Sequence, residues 1–123
     1  TGSPNYLLYL DPAGTTGGGT PPVVVTAPAT PLIGTAVALS RKSATVSWTA
    51  SDNGGSAITS FSVYAYRNGS STVSLAQTVT GASTSATFSG LVIGSTYVFR
   101  VLATNSVGSS SLSPTSNQII ARK

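Results

Sequence analysis

Side chains able to run a reaction are scarce in this chain. Its 123 residues include two carboxylates, Asp11 and Asp52, and neither histidine nor cysteine. Histidine is the usual general base near neutral pH and the commonest metal ligand, so its absence removes both roles. Without cysteine there is no thiolate nucleophile, no thiolate metal site and no disulfide framework. Hydrolysis by a carboxylate pair needs two acids held at a fixed separation in one cleft. Asp11 and Asp52 lie in loop-like stretches of different character, and a single carboxylate is a poor calcium site, because calcium gathers several oxygen ligands. The set of parts that catalysis requires is incomplete. The chain reads as non-catalytic, with no cofactor and no metal.

The basic residues give no binding stripe either. The net charge of +4 is that of six basic residues, Arg41, Lys42, Arg67, Arg100, Arg122 and Lys123, less the two aspartates, and the basic residues are scattered singly or in pairs. Nucleic-acid binding wants such charges concentrated and interleaved with aromatics, so they are read as solubility charges. Charged residues are 7% of the chain, against about a quarter in ordinary soluble domains. Its polar surface must therefore be built from hydroxyls, and 39 residues are Ser or Thr. A charge-poor, cysteine-free, hydroxyl-rich chain suits an extracellular place or the surface of a cell or virion. No apolar run reaches the length of a membrane span. The chain starts at Thr1 rather than at an initiator methionine and reads as a processed product or a fragment, so the lack of a leader says nothing about secretion.

Two parts separate near residue 30. Residues 1–30 read as an extended arm or linker; six of the seven prolines fall at or before Pro31, and Gly14 to Pro22 contains no core-forming side chain. Within the arm, Tyr6, Leu8 and Leu10 fall on one face of a strand, and Leu7 and Tyr9 on the other. A strand apolar on both faces must be covered on both or it invites pairing. Val23, Val24, Val25 and Thr26 form a second, shorter β-former.

Residues 31–123 alternate short β-like runs with Gly, Ser, Asn and Asp turns about every ten residues, the pattern of an all-β sandwich. The expected strands are 33–40, 44–49, 58–67, 73–80, 85–88, 96–105 and 117–121. Period-two alternation puts Ala44, Val46 and Trp48 on one inner face, Phe61, Val63 and Ala65 on another, and Tyr97, Phe99, Val101 and Ala103 on a third.

Particular stretches then resemble one family. The run Ser43-Ala44-Thr45-Val46-Ser47-Trp48-Thr49 is similar to the second strand of a fibronectin type III domain with its buried tryptophan. The run Ile58-Thr59-Ser60-Phe61-Ser62-Val63-Tyr64 resembles the third strand. Leu91, Gly94, Thr96 and Tyr97, with Phe99-Arg100-Val101 and Ala103-Thr104-Asn105, resemble the corner and sixth strand. The resemblance covers about residues 31–123 and implies a seven-stranded, immunoglobulin-like all-β sandwich. It also implies core roles for Trp48 and Leu91 and a tyrosine corner at Tyr97, its hydroxyl bonded to main chain near Leu91. The Arg-Gly-Asp loop that some relatives use for adhesion is absent, since that loop here reads Asn105-Ser106-Val107-Gly108-Ser109-Ser110. Domains of this type in bacteria and phages serve as spacers in secreted polysaccharide hydrolases or decorate virions.

Three places could carry a function. Tyr64, Tyr66, Val98, Arg100 and Leu102 are expected to share the outward face of the third and sixth strands, where tyrosine and arginine suit protein contacts; the plainer role is cover for an open sheet. The loops around Asp52-Asn53-Gly54-Gly55 and 105–110 cluster at one end, a usual recognition site in sandwiches, though their small polar residues name no ligand. In the arm, Tyr6, Leu7, Leu8, Tyr9 and Leu10 could add as a strand to a neighbouring subunit. The leading expectation is a structural or interaction module of an extracellular or virion assembly, bound to other subunits or copies of itself. The alternative is a spacer or accessory module of a secreted polysaccharide-degrading enzyme, with weak polysaccharide contact through Tyr64 and Tyr66.

Overall fold

The computed structural model describes residues 24–123. Their elements are seven strands: β1 (Leu32–Leu39), β2 (Ser43–Thr49), β3 (Ser60–Arg67), β4 (Val73–Thr80), β5 (Ser85–Phe88), β6 (Thr96–Thr104) and β7 (Ile119–Ile120). Two antiparallel sheets result, of three strands in the order β1-β2-β5 and of four in the order β4-β3-β6-β7.

The alternation in sequence becomes alternation in burial. In β2, Ala44, Val46 and Trp48 are buried while Ser43, Thr45 and Ser47 are half-exposed. In β6, Tyr97, Phe99, Val101 and Ala103 are buried and every residue between them is half-buried. A pleated strand sends successive side chains to opposite faces, so each strand offers one row to the other sheet. The rows meet around aromatic pairs: the rings of Trp48 and Phe61 are 5.4 Å apart and tilted by 53°, and those of Phe88 and Phe99 are 5.3 Å apart. Trp48 is buried in this core, and its Nε1 has no hydrogen-bond partner among the described residues. Leu91 is fully buried, and the Tyr97 hydroxyl accepts the Val92 N–H at 2.9 Å. That bond ties the β5–β6 crossing to the strand it feeds.

The β3–β4 hairpin turns on Asn68 and Gly69, at φ 53° and 76°. Asn and Gly are the residues that tolerate this left-handed pair, whose twist matches that of the flanking strands.

The C-terminal edge departs from expectation. The last strand, expected over 117–121, is only Ile119–Ile120, and most of the β6 edge is covered by a different device. Ser110, Ser113 and Ser116 donate their main-chain N–H groups to the carbonyls of Ala103, Val101 and Phe99 at 2.7, 2.9 and 2.8 Å. Their hydroxyls accept the N–H groups of the same three residues at 2.9, 3.0 and 3.0 Å. Each hydroxyl also donates to the carbonyl of its own next residue. A strand would offer alternate residues, but here every third residue faces β6, the period of a polyproline II helix. Pro114 has no N–H to donate and falls on a position that needs none. Beyond this ladder, the Asn117 amide pairs with the Ala36 N–H and carbonyl at 2.8 and 2.9 Å, where a register shift interrupts β1 against β2.

Candidate functional site

Pairing of β3 with β6 sets Tyr64 opposite Arg100, Tyr66 opposite Val98 and Ser62 opposite Leu102. Since Phe61, Val63, Ala65 and the odd-numbered residues of β6 fill the core, these residues lie together on the outer face. Tyr64, Val98, Arg100 and Leu102 are half-buried there. Tyr66 is different. It is only 7% exposed although it faces outward, and the Arg100 guanidinium carbon lies 5.8 Å from its ring centroid. That is a cation–π distance. Arg100 therefore covers the ring that the sequence suggested as an open contact, and little of Tyr66 is left exposed for a sugar to stack on. Tyr64 keeps part of its surface.

A groove of about 460 Å³ opens over this pair. Its lining comes from Tyr66, Val98 and Arg100 on the sheet, the 69–71 hairpin, and Leu112 and Thr115 of the serine-laddered segment. Leu102 is outside it. The surface thus combines apolar walls, hydroxyls and one guanidinium.

Asp52, the one carboxylate side chain among the described residues, is used locally. Its Oδ1 accepts the Gly54 N–H at 2.9 Å and shapes the β2–β3 loop. Among the described residues, no group of three or more His, Cys, Asp or Glu side chains could hold a metal ion. At the same end, Asn105 is buried, and its Nδ2 donates to the Asn53 carbonyl at 2.8 Å, joining the β2–β3 loop to the β6–β7 loop. The Ser56 and Ser106 hydroxyls also meet across these loops at 3.0 Å. Tyr6, Leu7, Leu8, Tyr9 and Leu10, singled out in the arm, lie outside the described residues. Among the described residues, no helix is long and apolar enough to cross a membrane.

The reading of the sequence placed Asn105 at the end of the sixth strand and in a loop, but missed its bridging role and the ladder formed by Ser110, Ser113 and Ser116. For the serines a signal was present: Ser-x-x-Ser-x-x-Ser across residues 110–116, a period that fits neither strand nor α-helix. The bridging role of Asn105 gave no local signal, because the carbonyls its Nδ2 meets are 52 and 79 residues away in sequence.

Comparison with known proteins agrees with this geometry. A family model described as "Fibronectin type III domain" matches residues 29–119. Chitinase A1 of Niallia circulans is 41% identical over 105 residues, which is 85% of this chain but 13% of that protein. Among solved structures, domains A168–A170 of titin superpose with a TM-score of 0.71 at 28% identity, over 79% of this chain and 33% of theirs. The twitchin kinase region of C. elegans, at 22% identity, gives a TM-score of 0.70 over 80% of this chain and 17% of its own, a likeness of fold. With a family match over most of its length, and with the core tryptophan and bonded corner tyrosine already in place, this chain belongs to the fibronectin type III family.

Proposed function

We propose that the chain is a non-catalytic accessory or spacing module of an extracellular polysaccharide-degrading protein. The observation that carries this reading is the match to Chitinase A1: 41% identity over 85% of this chain, within a protein of which the match is only 13%. A module of this size inside so long a relative is one part among several. The described residues support a holding role, since their polar side chains are spent on loops, corner and edge rather than gathered in a cleft. The hydroxyl-rich, charge-poor composition suits work outside the cell.

Sedimentation of the purified chain, together with assay of sugars released from insoluble chitin and cellulose, tests the reading. A monomer that hydrolyses neither polymer is expected. A discrete oligomer or filament would overturn it in favour of the second reading, a structural module of a surface assembly. The observation favouring that second reading is that Tyr66 and Arg100 line one groove, with Tyr64 opposite Arg100 on the same sheet face. Arg100→Ala and Tyr64→Ala would then weaken the assembly while leaving the monomer folded.

A further inference from the structure

Residues 24–30 cross the end of the sandwich where the β2–β3 and β6–β7 loops meet. The Thr26 N–H donates to the Gly54 carbonyl at 2.9 Å and the Ala29 N–H to the Asp52 carbonyl at 2.8 Å. The Ser51 hydroxyl donates to the Thr30 carbonyl at 2.7 Å. Pro28 falls between the two donating amides, at a position where a missing N–H loses nothing.

Asn105 closes this arrangement. Its Nδ2 donates to the Thr26 carbonyl at 2.7 Å and to the Asn53 carbonyl at 2.8 Å. Its Oδ1 accepts the N–H groups of Val107 at 2.9 Å and Gly108 at 3.2 Å. A carboxamide has two N–H donors and two acceptor lone pairs, and all four are engaged on a side chain only 4% exposed. Gly54 makes the fit close from the other side. It sits at φ 76°, and a Cβ there would overlap the Thr26 carbonyl. Apolar burial in the segment is confined to Pro28 and part of Ala27, since Val24 is 79% exposed and Val25 38%. Four hydrogen bonds hold it, and the two on Thr26 run to the Asn105 amide and the Gly54 carbonyl.

From this geometry we infer that residues 24–30 form a strap latched to the sandwich by Asn105. Whatever is joined upstream is then carried on an anchored segment, not on a free hinge at Pro31. The family match begins at residue 29, so the outer part of the strap lies before the residues that the family model matches. Asn105 acts as a positioning residue, and Gly54 as the seat its strap requires. The inference does not rest on the accessory role proposed above.

Amide hydrogen exchange on the full chain, read by NMR, tests it. In the unmodified protein the Thr26 and Ala29 amides are expected to exchange at least about tenfold more slowly than in an unstructured peptide. Asn105→Asp keeps acceptors for Val107 and Gly108 but removes both donors. Gly54→Ala strikes the strap without touching Asn105. Each variant is expected to speed exchange at Thr26 and Ala29 by about tenfold, while the Val63 and Val101 amides keep their protection. The inference is overturned if Thr26 and Ala29 exchange freely in the unmodified protein. It is equally overturned if neither variant changes them, or if they loosen only together with Val63 and Val101.

Discussion

Replacing Ser113 with alanine isolates the worth of one ladder rung. Ser113 is 1% exposed, and its hydroxyl accepts the Val101 N–H at 3.0 Å. Val101 is itself fully buried. With the hydroxyl gone, that N–H faces a methyl group and no water reaches it. A buried donor left without a partner costs about 1–3 kcal/mol. The Pro114 carbonyl also loses its donor, but Pro114 is exposed and water can replace the bond. We therefore expect a loss of about 2 kcal/mol, near the middle of the range for an orphaned donor. For a domain of this size that lowers Tm by roughly 8–16 °C. Urea unfolding followed by fluorescence of Trp48, the single tryptophan, measures it. Ser111→Ala is the control, because Ser111 is exposed and surface changes usually stay within about 0.5 kcal/mol. If Ser113→Ala matched that control, the hydroxyl bond to β6 would contribute nothing and the account of this edge would be wrong.

Other outcomes follow from the same bonds. Tyr97→Phe removes the acceptor of the Val92 N–H at the corner and should cost about 1 kcal/mol in the same unfolding experiment, the usual net worth of such a bond. Arg41 and Lys42 hold φ of 63° and 62° in the β1–β2 turn, a region costly to side chains with a Cβ; Arg41→Gly should raise stability by roughly 0.5–1 kcal/mol in thermal unfolding. Gly81→Ala places a Cβ against the Ile58 carbonyl, and moving backbone to relieve it should cost about 2 kcal/mol or more, visible as a lower urea midpoint. Arg100→Ala uncovers the Tyr66 ring and should leave stability within about 1 kcal/mol, while tyrosine fluorescence quenching by acrylamide rises.

The sandwich was legible because its signals are local. Period-two rows such as Ala44, Val46, Trp48 and Tyr97, Phe99, Val101, Ala103 declare which face each strand buries, whatever lies across from it, and Asn68-Gly69 sets a turn by its own backbone preference. The lack of histidine and cysteine likewise removes imidazole and thiol chemistry without reference to any fold. What the sequence could not decide were matters of who meets whom. That Tyr66 would be roofed by Arg100 depended on register between two strands thirty residues apart and on how a side chain from one folds over the other. That the last edge would be held by serines, not by a longer β7, depended on β6 presenting donors and acceptors at that edge for Ser110, Ser113 and Ser116 to meet. That Asn105 would join two loops and residues 24–30 was decided only when the strands brought positions 26, 53 and 105 to one end of the sandwich. Alternation is written residue by residue, but hydrogen bonds between distant segments exist only once the backbone has placed donor and acceptor within about 3 Å of each other.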